Sequence, residues 1–228
     1  MSATQVPVRE GTRLFEELRA VHSVMARGAE LVAGSFNRLA GGAAVDTKTL
    51  VTTVQWFVDF VRHHHRTEDE LLWSVLRERF PEAVRRLDRL SEQDDAVAQG
   101  LDDLEGVIAR IAEERTVGGS ADWGHAMKEG TLTSHRIRDG LAGHLAIEEP
   151  LLRGLLAKAP DEDVPSLRKA VTDGLTRSTP HLVFGFLEHP EPVPGRERVH
   201  AHFPQPVRWA RGMLMTRFRK TLRDLAAD

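Results

Sequence analysis

The chain has 228 residues, 41% hydrophobic and 29% charged, with a formal net charge of −3. That is the balance of an ordinary globular protein long enough to bury a full core, and it gives no general reason to expect nucleic acid as a partner. Cysteine and tyrosine are absent, which excludes disulfides, thiolate metal sites, iron–sulfur clusters, cysteine nucleophiles, tyrosyl radicals and tyrosinate ligands. Met1–Glu10 lacks the long apolar run of a signal peptide, and no stretch approaches the roughly 18 apolar residues of a membrane span. A cytoplasmic location without transmembrane association is therefore expected.

Helical periodicity dominates the chain. In the first segment Phe15, Leu18, His22, Met25, Ala29, Val32, Phe36 and Leu39 recur at steps of three and four. Gly41–Gly42 breaks this stripe, and Asp46 or Thr47 suits the N-cap of a second helix. That helix carries Leu50, Val54, Phe57, Val61, His64, Glu68, Leu71 and Val75, and Phe80–Pro81 ends it. Pro81 can itself start the next helix, where its missing N–H costs nothing. The third stripe is Leu87, Leu90, Asp94, Val97, Leu101, Leu104, Ile108 and Ile111, ending before Val117–Ser120. The fourth is Ile137, Leu141, His144, Glu148, Leu151 and Leu155, stopped by Pro160. Stripes repeating about every 3.5 residues, joined by short connections, predict an all-α, antiparallel up-down-up-down four-helix bundle over residues 10–158.

Beyond the bundle, residues 162–228 predict a helical C-terminal extension packed on it. Leu167–Leu175 reads as a short amphipathic helix, Leu182–Leu187 is apolar enough to pack, and Pro190–Pro194 reads as a rigid connector. A last helix from Val207 to Leu225 sets Trp209, Met213, Leu214, Phe218 and Leu222 against Arg211, Arg217, Arg219, Lys220 and Arg223. Such a basic face suits a membrane surface or nucleic acid, but packing over the bundle with solvated arginines is the expected arrangement, and nucleic acid is not an expected partner.

What interrupts the four stripes is informative. His22, His64, Glu68, Asp94, His144 and Glu148 occupy positions that the period reserves for the core. One core imidazole has an ordinary explanation in a carbonyl or hydroxyl partner. Three buried carboxylates beside three imidazoles are costly unless a cation compensates them, the alternative being a buried polar network without metal. Their heights also agree. In an antiparallel hairpin, residues equally far from the turn lie level. The midpoints of His22 with His64/Glu68, of that pair with Asp94, and of Asp94 with His144/Glu148 fall near residues 44, 80 and 120, all in predicted turns.

His64–Glu68 and His144–Glu148 each place histidine and glutamate four apart on one helical face. Nitrogen with carboxylate oxygen suits iron or manganese, with zinc a contender. Six side chains are enough for two ions sharing bridging carboxylates, and Glu68 and Glu148 are the natural bridges. Of the other histidines, His63 and His65 flank the seam, and His65 either orients a ligand or faces solvent. His135 points to the opposite face, the phase of His125 is uncertain near its loop, and His200-Ala201-His202 offers only a site for adventitious metal.

The runs His63–Trp73 (HHHRTEDELLW) and His144–Leu152 (HLAIEEPLL), with His22 as a lone first-helix histidine, resemble the hemerythrin-like, or HHE, cation-binding family over roughly Phe15 to Leu156. The third helix departs from the family pattern, since Asp94 stands where histidine is expected. Aspartate either ligates with a shorter, charged arm or leaves a position on one ion open. The resemblance implies a non-haem di-iron centre with bridging carboxylates and a menu of roles: oxygen binding, oxygen or iron sensing, peroxide chemistry and other oxidations. Two ferrous ions with an open position can supply two electrons to dioxygen, and the pocket then decides between reversible binding and turnover. Three carboxylates would favour ferric iron, which inclines the reading towards a di-iron oxidase, oxygenase or peroxidase acting on dioxygen or peroxide, with an external reductant and an unidentified small-molecule substrate. A reversible oxygen carrier, or an oxygen or iron sensor, is the alternative.

Overall fold

The computed structural model describes residues 9–84, 88–114, 121–173, 175 and 179–227. Every regular element among them is helical. The long helices are α1 (Glu10–Ala40), α2 (Thr47–Thr67), α5 (Asp88–Glu114) and α6 (Ala121–Leu156). Gly42, at φ 83°, makes the left-handed turn after α1. Asp46 caps α2 by accepting the Thr49 amide at 2.7 Å, which satisfies one of the free N–H groups of the first turn.

A π-helical turn, Glu68–Trp73, follows α2 directly and runs into α3 (Ser74–Arg79), before the short α4 (Pro81–Val84). Hydrogen bonds in a π turn span one residue more than in an α-helix. The inserted residue advances the inward face by one position. Leu72, Trp73 and Leu76 are buried there, whereas Leu71 and Val75, expected in the core, are only half-buried.

The other stripes lie inward as the periodicity predicts. Leu18, Met25, Phe36, Leu50, Phe57, Leu101, Leu104, Ile108, Ile137 and Leu141 are all buried. Leu87, the side chain of Leu90 and the loop Val117–Ser120 lie outside the described residues. Helices α1 and α5 each pack against both α2 and α6. Across α1 and α2, a Cβ on Gly28 would sit 3.0 Å from the Phe57 ring. Across α2 and α5, Arg62 Nη1 meets Glu105 at 2.7 Å. Between α5 and α6, a Cβ on Gly100 would sit 2.8 Å from Ile137, and Arg110 pairs with Glu129. At one end of α1 Gly11 abuts the Leu156 carbonyl, and near the other Phe36 abuts Gly130.

The remaining helices are α7 (Val164–Thr172), α8 (Pro180–Glu188), α9 (Arg196–Ala201), α10 (Gln205–Trp209) and α11 (Arg211–Asp224). Helix α7 contacts α1, α2 and the π turn; α8 contacts α1 and α11. Polar anchors reinforce these contacts. Buried Glu17 of α1 accepts from Arg168 Nε of α7 at 3.2 Å, and its carboxylate lies 3.1 Å from His202 Nε2. The single last helix expected from Val207 to Leu225 is instead broken at Ala210 (φ −78°, ψ 7°). One helical phase therefore does not hold across it. Leu214, Phe218 and Leu222 are buried, but Trp209 and Met213 are 78% and 68% exposed, contrary to the expectation that they share the apolar face. Among the described residues no helix is long and apolar enough to cross a membrane.

Candidate metal centre

The polar interruptions of the four stripes meet in the interior. His22 of α1, His64 of α2, Glu68 at the start of the π turn, and His144 and Glu148 of α6 are each at most 4% exposed. Asp94 of α5 is half-buried. Glu68 Oε1 lies 3.6 Å from His22 Nε2 and 3.2 Å from His64 Nε2. On the other side, Asp94 Oδ1 lies 2.9 Å from His144 Nδ1. Glu148 joins the two halves, since its Oε2 is 3.6 Å from His22 Nε2 and 3.3 Å from His144 Nε2. Of the two carboxylates expected to bridge, Glu148 is thus the one whose single oxygen reaches both halves.

Local structure places these groups. His64–Glu68 and His144–Glu148 are one turn apart on their own helices, so each pair shares a face. The π turn beginning at Glu68 allows its carboxylate to stay inward while the chain beyond it rotates. Pro150, inside α6 two residues past Glu148, lacks the N–H that would bond to the Ala146 carbonyl.

Close approach is not matched by hydrogen-bond alignment. Among the described residues, His22 Nε2, His64 Nε2, Glu68 Oε1, Asp94 Oδ1, both nitrogens of His144 and both oxygens of Glu148 are buried with no aligned partner. Each such atom costs on the order of 1–3 kcal/mol when left unsatisfied. Ring nitrogens and carboxylate oxygens that converge without directing N–H groups at one another fit a cation in their midst. The donor set, imidazole nitrogen and carboxylate oxygen, suits iron, manganese or zinc.

The protonation pattern of the bare side chains has the same origin. Burial alone would depress the His22 imidazole, but Glu149, Glu68 and Glu148 outweigh it and push it up to about 9. Burial also opposes charge on His144, yet Asp94 and Glu148 push it up to about 10. Burial and the neighbouring Glu68 raise the Glu148 carboxyl, while His64 and His22 overcome burial and hold Glu68 well below the usual carboxylate range. Burial, and then His64, bring His65 down to about 4. Protons here stand in for positive charge that an ion supplies, so ion binding displaces them.

The other histidines stand apart, with one exception. His135 Nε2 lies 2.9 Å from Asn37 Nδ2 at the surface, and His125 is exposed. His63 lies 2.9 Å from Arg66 and 3.6 Å from Asp173. His200 stacks on Phe184 at 4.3 Å while His202 turns to Glu17, so the two do not share a site. His65 is the exception. Its ring centroid lies 5.2 Å from that of His144, and its nitrogen groups with Asp94 and His144 within 4.8 Å, just as His22, His64 and Glu68 group on the other side. Glu149 also escapes the periodicity, because it stands outside the stripe; its Oε1 lies 3.2 Å from His22 Nδ1.

A model of the hemerythrin HHE cation binding domain matches residues 13–156. The chain belongs to this family. The match runs from the first turns of α1 to the end of α6 and contains all six interrupting residues, together with His65 and Glu149. Cation binding is the property the HHE domain implies, and the His/Glu clusters are where this HHE domain offers it. No curated protein and no solved structure gives a significant match to the chain.

Proposed function

We propose that this HHE domain holds two iron ions, with manganese or zinc as competitors, and activates dioxygen or peroxide for oxidation of a small molecule. The ligands in this reading are His22, His64, Glu68, Asp94, His144 and Glu148. The carrying observation is Glu148, fully buried, with one oxygen within 3.6 Å of nitrogens on both sides and no aligned hydrogen-bond partner among the described residues. Such an atom suits a bridge between two cations. The scaffold we infer is an antiparallel up-down-up-down bundle over residues 10–158, carrying residues 162–228 as a cap. The pairs Gly28 with Phe57, Arg62 with Glu105, and Gly100 with Ile137 support it, because their midpoints fall at or beside the three turns expected from the sequence.

Iron bound there would supply electrons to dioxygen or peroxide, drawn in turn from an external reductant. The chain's own residues set the conditions. Glu149 accepts a hydrogen bond from His22 Nδ1–H, so Nε2 faces the interior and would serve as the electron-pair donor to an ion. Glu68, Glu148 and Asp94 bring three negative charges, which favour the ferric state and hence turnover. Helix α7 lays Ala170, Val171 and nearby Leu175 over a narrow cavity beside His64, which restricts access from that side. A separate cleft between α1 and α6, lined by Phe15, Arg19, Leu145, Glu149, Pro150 and Arg153, is open and has room for a small organic molecule. Its arginines favour an anionic one.

The alternative, reversible oxygen binding or sensing, is favoured by the narrow cavity itself, lined by Val21, Phe60, Ala170, Val171 and Leu175 beside His63, His64 and Thr67, which has room for a very small molecule only. Ferrous iron titrated anaerobically into the full chain, followed by oxygen, separates the readings. Two ions per chain and oxygen consumed with a chemically altered organic compound support the enzyme. A spectrum that reverts when oxygen is removed supports the carrier or sensor. Failure to bind iron, manganese or zinc removes both.

A further inference from the structure

We infer that His65 is a direct ligand of the second ion, completing with Asp94 and His144 a half-site that mirrors His22, His64 and Glu68. The inference rests on the two-ion reading of the centre and adds a ligand to it.

Consecutive residues on a helix point about 100° apart, so one face cannot hold both His64 and His65. The cyclic order of the helices removes that obstacle. Helix α2 packs between α1 and α5. His64 meets α1 through His22, with ring centroids 5.1 Å apart, while His65 meets the α5–α6 side, its ring 5.2 Å from that of His144. Two adjacent residues of one helix thereby address two neighbouring points of the interior.

Three further observations make His65 a ligand. Its Nε2 is buried with no hydrogen-bond partner among the described residues, so no carbonyl or hydroxyl among them accounts for it. Donor atoms of His65, Asp94 and His144 all lie within 4.8 Å of one another, as do those of the first triad, so small side-chain shifts would bring each set around one ion. Charge also fits. Asp94 and Glu148 already bring two negative charges to this half, and a neutral imidazole adds a third donor without adding repulsion. The result is three protein donors from α2, α5 and α6 around one ion, to which His144 offers one of its two nitrogens, Nδ1 beside Asp94 or Nε2 beside Glu148.

The test counts ions and histidine ligands in the full chain. Ferrous iron is titrated anaerobically into the wild type and into His65→Ala and His65→Gln variants, the latter close to histidine in volume so that folding is preserved. The wild type is expected to bind two ions, and both variants to bind one tightly and the second at least about 100-fold more weakly, beyond the roughly 10–100-fold attached to an orienting residue. Cobalt(II) loading gives an independent readout, since each coordinating imidazole shows a contact-shifted N–H proton resonance, and His65→Gln should lose one. Two tight ions and an unchanged set of resonances in both variants would overturn the role of His65 while leaving the two-ion centre standing. A wild type that binds one ion or none would overturn the centre and the inference with it.

Discussion

Glu149 Oε1 lies 3.2 Å from His22 Nδ1, while His22 Nε2 on the far side of the ring faces Glu68 and Glu148 at 3.6 Å each. An ionised carboxylate only accepts, so Nδ1 keeps its proton and Nε2 is the nitrogen that would give up its proton to a bound ion. Arg19 Nε, 3.3 Å from the other Glu149 oxygen, steadies the carboxylate from the cleft side. With an ion at Nε2 the arrangement would be the carboxylate–histidine–metal relay that orients ligands and raises their basicity.

Glu149→Ala is therefore expected to weaken binding of the first ferrous ion by about 10–100-fold, measured by competition with a chelator of known affinity. Glu149→Gln keeps an acceptor and should lose less. Equal affinity in the wild type and the alanine variant would mean that His22 is held in place by packing alone.

Two glycines make a matched pair for helix packing. A Cβ on Gly11 would run into the Leu156 carbonyl oxygen, a backbone atom that cannot swing away, whereas a Cβ on Gly106 meets nothing within 4 Å. Alanine is the better helix former by about 1 kcal/mol, so Gly106→Ala should stabilise by about that amount. Gly11→Ala should destabilise by about 2 kcal/mol, because overpacking at the α1–α6 contact outweighs the propensity gain. Urea denaturation of both variants reads the two signs, and stabilisation by Gly11→Ala would contradict the close approach of these helices.

Much of the interior is legible in the sequence because burial on a helix has a period. Val97, Leu101, Leu104, Ile108 and Ile111 lie where one stripe puts them, and the six side chains that interrupt the stripes come together in the interior. The departures have local causes. The π turn at Glu68 carries an extra residue that no hydrophobic pattern announces, so Leu72 and Leu76 take the core places expected of Leu71 and Val75. His65 and Glu149 lie one residue past a stripe position, and their roles come from neighbouring helices rather than from their own. Trp209 and Met213 would share an apolar face with Leu214 only if the helix continued through Ala210, where it breaks.

Arg27 tests how the C-terminal helices are held. From α1 its Nη1 lies 2.7, 2.8 and 2.9 Å from the carbonyl oxygens of Phe186, His189 and Glu191. These carbonyls sit where α8 ends and the proline-rich connector begins, so one guanidinium gathers the free acceptors of a helix terminus. Arg27→Ala should cost about 2 kcal/mol, the scale of charged hydrogen bonds lost at a partly exposed site. Limited proteolysis should then cut the connector between α8 and α9 faster than in the wild type. An unchanged cleavage rate would show that the apolar contacts of α8 suffice.

His181, near the start of α8 and 6% exposed, gives the chain an acid-sensitive element away from the metal centre. Its Nδ1 has no hydrogen-bond partner among the described residues. Burial, and then the positive charge of Arg217, lower its pKa to about 4 from an ordinary 6.5. The sign follows from which state takes up the proton. The unfolded chain binds one below 6.5, while the folded chain resists until about 4, so stability is full above the ordinary value and falls as pH drops through that window. Each tenfold difference in proton affinity between the two states corresponds to about 1.4 kcal/mol, which makes the loss attributable to His181 about 2 kcal/mol between neutral pH and about pH 5. His181→Leu, which cannot titrate, should lose correspondingly less over that range in denaturant titrations at matched metal content. Parallel pH profiles for the two proteins would show that the imidazole is protonated in place at no cost, and hence that α8 opens to water around it.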